Sequence, residues 1–147
     1  MKISTKGRYA TRAMLDLALH YDKTPVFLKD ISARQGISLR YLEQIISPLI
    51  AAKIVTSTRG PKGGVMLARP PQKIKLSEVI QVLEGPISPV ECVENPGVCT
   101  RASSCVARDV WTDLAKAMYG VLESTTLQDL VERQEKKRAG RELLYNI

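Results

Sequence analysis

The 147-residue sequence has one histidine and three cysteines, and it lacks the patterns that would turn either into an enzyme site. No C-x-x-C pair occurs, and the single histidine, His20, is far along the chain from Cys92, Cys99 and Cys105, so a thiol redox enzyme has neither its motif nor a nearby base. No G-x-x-x-x-G-K-[ST] run is present, which removes a phosphate-cradling nucleotide loop. No apolar run approaches the roughly 18 residues of a membrane span. No N-terminal stretch joins a positive start, an unbroken apolar run and a small-residue cleavage site. Repeats and low-complexity segments are also missing. We therefore expect a cytoplasmic protein that is not an enzyme and engages no membrane.

What is there begins with the cysteines, all in the stretch VECVENPGVCTRASSCVARD. Cytoplasmic thiols stay reduced, so an odd, clustered trio points to metal or redox chemistry rather than to structural disulfides. Thiolates are soft ligands and the usual anchors of iron–sulfur clusters, and three within fourteen residues can converge on one small object. The simpler alternatives are a transient Cys92–Cys99 disulfide or plain reactive thiols. No fourth ligand is evident.

A hydrophobic content of 44% supplies a core, and the net charge of +7 is unevenly spread. Residues 1–75 hold 14 Lys and Arg against 4 Asp and Glu, a net of +10, whereas residues 76–147 hold 8 against 11, a net of −3. The basic part is the candidate for DNA phosphates, whose neutralisation releases counterions and gives sequence-independent affinity.

Periodicity fills in that part. Tyr9, Ala10, Ala13, Met14, Leu17, Ala18 and Tyr21 recur at three and four, an amphipathic helix from Ser4 to about Tyr21 that Asp22, Lys23, Thr24 and Pro25 break. A short helix with Leu28 and Ile31 inward ends near Gly36. Ser38 then caps a third helix with Leu42, Ile45, Ile46, Leu49 and Ile50 inward and Arg40, Tyr41, Glu43, Gln44 and Ser47 outward. This is a helix-turn-helix arrangement. Pro48 is expected to bend or end the regular helix soon after Ser47. Two strand-like runs, Ile54 to Thr58 and Val65 to Ala68, flank the tip Arg59-Gly60-Pro61-Lys62-Gly63-Gly64 and predict a wing. Arg59 is the residue suited to a narrow, electronegative minor groove, and Lys62 adds a second tip charge.

Leu76, Val79, Ile80 and Leu83 predict a short helix stopped by Gly85 and Pro86. The cysteine stretch from about Pro86 to Cys105 reads as irregular. Val110, Trp111, Leu114, Ala117, Met118, Val121 and Leu122 then mark a strongly amphipathic helix to about Glu123, expected to pair two subunits across a two-fold DNA site or else to close the monomer's own core. A last helix begins near Thr126, followed by the mixed tail KKRAGRELLYNI. The expected fold is mostly α with a small β-hairpin: a winged helix-turn-helix DNA-binding domain at 1–75, a short helix and cysteine-bearing ligand loop at 76–105, and a dimerisation helix and C-terminal tail at 106–147.

The opening MKISTKGRYATRAMLDLAL, the stretch DISARQGISLRYLEQ, the wing VTSTRGPKGGVMLAR, the three cysteines and the following WTDL together resemble the bacterial IscR-like iron–sulfur cluster regulators over nearly the whole chain. VLEGPISPVE, LESTTLQDL and the terminal YNI are similar to the cysteine-metabolism repressor CymR of the same winged-helix superfamily, which lacks the cysteine cluster. The resemblance implies a homodimeric, sequence-specific repressor of cluster-assembly genes that binds a palindromic operator in double-stranded DNA and carries a 2Fe-2S cluster. It implies cluster thiolates at Cys92, Cys99 and Cys105, base reading by Ser38, Tyr41, Glu43 and Gln44, and Arg59 in the wing. Arg40 stands where the family pattern has serine. Chemically, Gln44 suits adenine, Glu43 can accept from cytosine, and Arg40 can pair with guanine or hold a phosphate; Ser38 and Tyr41 suit backbone or methyl contacts. Glu43 also repels phosphates, which selects against sites lacking a donor; a local pairing with Arg40 is the simpler role.

Two departures concern the metal. The family's histidine three residues after the last cysteine is Arg108 here, and the first cysteine gap is one residue longer. The first-helix positions from which a partner subunit reaches the cluster in some relatives are Arg8 and Arg12, whose guanidinium offers no lone pair. Asp109, Glu91 and Glu94 are local oxygen donors, and the fourth ligand stays unassigned. The alternative function is a cluster-free repressor of cysteine and sulfur metabolism that answers to thiol oxidation or to a regulatory protein partner.

Overall fold

Ser4 starts the first helix, its hydroxyl accepting the Gly7 N–H at 3.2 Å, in a computed structural model that describes residues 2–22 and 24–146. Lys23, one of the expected helix-breaking residues, lies outside them. Helix α1 (Thr5–Leu19) buries Ala10, Ala13, Met14, Leu17 and Ala18, the face its spacing predicts. Helix α2 (Leu28–Gln35) ends at Gly36, which takes the left-handed conformation (φ 63°) of a helix stop. Helix α3 (Leu39–Ala51) follows after three residues, Gly36 to Ser38, and buries Leu42, Ile45, Ile46 and Leu49.

Of the expected bend or end soon after Ser47, the end does not occur at Pro48: α3 continues to Ala51. The proline ring removes only the bond to the carbonyl of Gln44, an exposed residue, and the Ala52 N–H closes the next turn on the Pro48 carbonyl at 3.0 Å.

Strands β1 (Val55–Thr58) and β2 (Gly64–Leu67) pair antiparallel with Val55 opposite Leu67 and Thr58 opposite Gly64. Val26 joins as a third edge, exchanging two backbone bonds with Val65 at 2.9 and 2.8 Å. Gly64 makes this possible, because a Cβ there would lie 2.4 Å from the Val26 carbonyl oxygen.

Helix α4 (Leu76–Glu84) leads into the cysteine stretch, which is not wholly irregular: it holds a one-turn helix, α5 (Glu91–Glu94), and a 3-10 turn at Pro96–Val98. Helix α6 (Val106–Glu123) is followed by α7 (Leu127–Tyr145), which Thr126 and Asp129 open by mutual capping and which runs on through most of the charged tail. The core is continuous across residue 75, since Ile74, Val79, Leu127 and Val131 pack with α1 and α3. The architecture is a winged helix-turn-helix with a long helix beyond it. Among the described residues no helix is long and apolar enough to cross a membrane.

Candidate nucleic-acid interface and cysteine segment

The N-terminal half of α3 presents Arg40, Glu43 and Gln44 to solvent, and with Ser47, Pro48 and Lys6 of α1 they line a shallow groove. Lys6 was not singled out from the sequence; its signal is a basic residue in the first turn of a helix that packs on α3. Ser38 is exposed, but its hydroxyl already accepts the Tyr41 N–H at 3.3 Å as the α3 cap. Tyr41 is half-buried, its ring meeting Tyr9 edge-on at 5.9 Å. No Arg40–Glu43 ion pair forms among the described residues, which leaves Glu43 facing solvent. Arg59 and Lys62 stand exposed at the wing tip, joined to α3 by the short β1 connection.

A buried carboxylate braces this surface from behind. Asp16 of α1, 2% exposed, accepts two bonds from Arg34 (3.0 and 2.7 Å) and one from the Gln35 amide (3.0 Å), and His20 lies 3.4 Å away. Burial alone would raise the Asp16 pKa, but the hydrogen bonds from Arg34 and Gln35 and the Arg34 charge together carry it below the ordinary 3.8. The pair ties α2 to α1 just before the turn into α3.

The cysteine segment is built differently. Cys92 lies half-buried on α5, Cys99 is exposed beyond the 3-10 turn, and Cys105 is the half-buried residue immediately before α6; all three are free thiols. Three thiolates match the donor chemistry of an iron–sulfur cluster in three of its four positions. As folded, no group of three or more His, Cys, Asp or Glu among the described residues is gathered to hold a metal. Arg108 takes a structural role: its Nε donates to the Cys92 carbonyl at 2.9 Å and ties α5 to α6.

Helix α6 buries none of its residues within the chain; Val106, Val110 and Val121 are 77%, 57% and 66% exposed, and Trp111 is also open. Its far end is fixed by Glu123, which accepts from Lys75 Nζ (2.5 Å) and Ser77 Oγ (2.6 Å). Those bonds, Lys75 first, with Ser77 and Tyr119, hold the Glu123 carboxyl down at about 2.

Residues 3–133 match the family model Rrf2, described as an iron-dependent transcriptional regulator. The chain is 45% identical over 131 residues to Protein rrf2 of Nitratidesulfovibrio vulgaris, covering 89% of this chain and 87% of that protein. It is 43% identical over 135 residues to the HTH-type transcriptional regulator IscR of Photorhabdus laumondii, covering 92% and 82%. Among solved structures, T. potens IscR superposes with a TM-score of 0.77 at 41% identity, covering 93% of this chain and 90% of that one. CymR, the global cysteine regulator of B. subtilis, gives 0.77 at 43% identity, covering 90% and 98%.

Proposed function

The chain belongs to the Rrf2 family of transcriptional regulators, and on that premise we propose that it is a cytoplasmic, homodimeric repressor whose DNA binding is gated by a 2Fe-2S cluster and which controls genes of cluster assembly. It is a DNA-binding regulator and not an enzyme. The observation that carries the cluster is the placement of all three cysteines, unpaired, on the segment between α4 and α6 of a chain similar to IscR regulators. Cys92, Cys99 and Cys105 are the thiolate ligands. When bound, the cluster supplies a rigid cross-link among them. Because Arg108 ties the Cys92 carbonyl to α6, a shift of Cys92 towards the other two thiols would be passed to α6 as well. Gating requires the cluster to favour one of two DNA-binding geometries.

On DNA, the reading assigns the operator's major groove to α3. Gln44 pairs with adenine, Glu43 accepts from cytosine, and Arg40 takes guanine or phosphate; Ser38 and Tyr41 sit against backbone and methyl groups. Arg59 enters the minor groove and Lys62 neutralises phosphate there. The exposed apolar stripe of α6 pairs two copies so that both heads meet a palindrome.

Anaerobic reconstitution with iron and sulfide tests the assignment: the wild type should gain visible charge-transfer absorption and stoichiometric iron, and Cys→Ala at all three positions should stay colourless. A colourless wild type, or a coloured triple variant, overturns it. The likeness to CymR and the ungathered thiols favour a second reading, a cluster-free repressor of cysteine metabolism. That reading expects no iron and a DNA affinity that changes with peroxide or with a partner enzyme.

A further inference from the structure

We propose that Arg12 is a positioning residue for operator recognition, holding the turn of the helix-turn-helix and the reading helix in register without itself contacting DNA. Its guanidinium carbon lies 5.4 Å from the centre of the Tyr9 ring, and that ring meets Tyr41 of α3 at 5.9 Å and 82°. The same guanidinium donates to the backbone carbonyl of Gln35, the last residue of α2, and its Nε reaches the Gln35 side-chain oxygen at 3.4 Å. Gln35 in turn donates to the buried Asp16 at 3.0 Å.

One continuous series of contacts therefore runs from a buried carboxylate in α1, across the end of α2, to Tyr41. It straddles Gly36 and Ile37, the turn that sets how α3 leaves α2. Glu43 and Gln44 follow Tyr41 by two and three positions, so a tilt at Tyr41 is carried to both. The arginine is placed for this role. Its charge sits at the carbonyl end of α2, where a cation is favoured. Its flat fork serves a ring face and a carbonyl at once, which lysine cannot do.

The competing role for an exposed arginine in the basic part of the chain is an ordinary phosphate contact, and the two are separable. The probes are a duplex selected from a random pool by the wild-type protein and a scrambled duplex of the same length, each titrated by fluorescence anisotropy at several salt concentrations. Positioning predicts that Arg12→Lys weakens the selected duplex about tenfold, leaves the scrambled one within about twofold, and does not change the salt slope. Tyr9→Leu should reproduce that loss and Tyr9→Phe should bind as wild type. Any of three results overturns the proposal: wild-type affinity with lysine at position 12, equal loss on both duplexes, or a salt slope reduced by about one per subunit. If Arg12→Lys lowers the melting temperature into the assay range, the Tyr9→Phe and Tyr9→Leu pair decides.

Discussion

The winged helix and the segment from α5 through α6 are two ways of building with one chain. In the former, the exposed α3 side chains expected to touch DNA stand on an element whose other face is buried: Leu42, Ile45, Ile46 and Leu49 lie behind Arg40, Glu43 and Gln44. Asp16, Arg34 and Gln35 add a bonded brace. In the latter, α6 buries nothing, and Ala102 is the only residue buried between Val90 and Ser124. Burial of apolar area is what makes an element rigid on its own. The proposed reading surface thus has its support within one chain, whereas the cysteine segment has little buried contact and is tied by a few polar bonds.

Truncation should break the two regions apart most visibly. Leu49→Ala, at a fully buried position, should cost about 3 kcal/mol in urea unfolding through lost transfer energy and the cavity left behind. The same truncation at Val110 should leave helix content unchanged and instead weaken self-association about tenfold by sedimentation. Equal effects at the two sites would erase the contrast. Arg59→Ala comes next: operator affinity should fall about tenfold, with a salt slope lower by about one per subunit and an unchanged melting temperature, since the tip carries no core contact. The smallest effect is acid sensitivity at the far end of α6. Glu123 has its carboxyl depressed from 4.5 to about 2 by Lys75, Ser77 and Tyr119. Its contribution is therefore present above pH 4.5 and is lost as pH falls towards 2. Trp111 fluorescence should report an inflection in that window that Glu123→Gln removes while the core stays folded.

Which of these features could be read from the amino-acid order follows from the same physics. The inward faces of α1 and α3 were legible because burial imposes a 3.6-residue period, and the wing was legible because glycine and a basic tip interrupt two short strand runs. Pro48 leaves α3 running on to Ala51 because a proline removes one helix bond, here at the exposed Gln44, while the next turn still closes on the Pro48 carbonyl. The one-turn α5 escaped notice because four residues show no period. Asp16 did leave a trace, a lone acid on the apolar stripe between Ala13 and Leu17, but its partners Arg34 and Gln35 are joined to it only by folding. Tyr41 reads as outward from spacing and is half-covered because Tyr9 reaches across from another helix. Nothing in the spacing of Cys92, Cys99 and Cys105 states what would gather them.

The pairing of Val26 with Val65 over Gly64 has a consequence in time rather than in shape. With both of its backbone bonds made to Val65, next to the tip-closing Thr58–Gly64 pair, Val26 ties β2 down almost as far as the tip, and only Arg59 through Gly63 lie beyond the strand pairing. Hydrogen exchange at Val26 and Val65 should be slow, and at the tip fast. Only those few residues then lose freedom on entering a groove, at roughly 1–2 kcal/mol each, so the ordering penalty of the wing is short, local and set by the length of the tip.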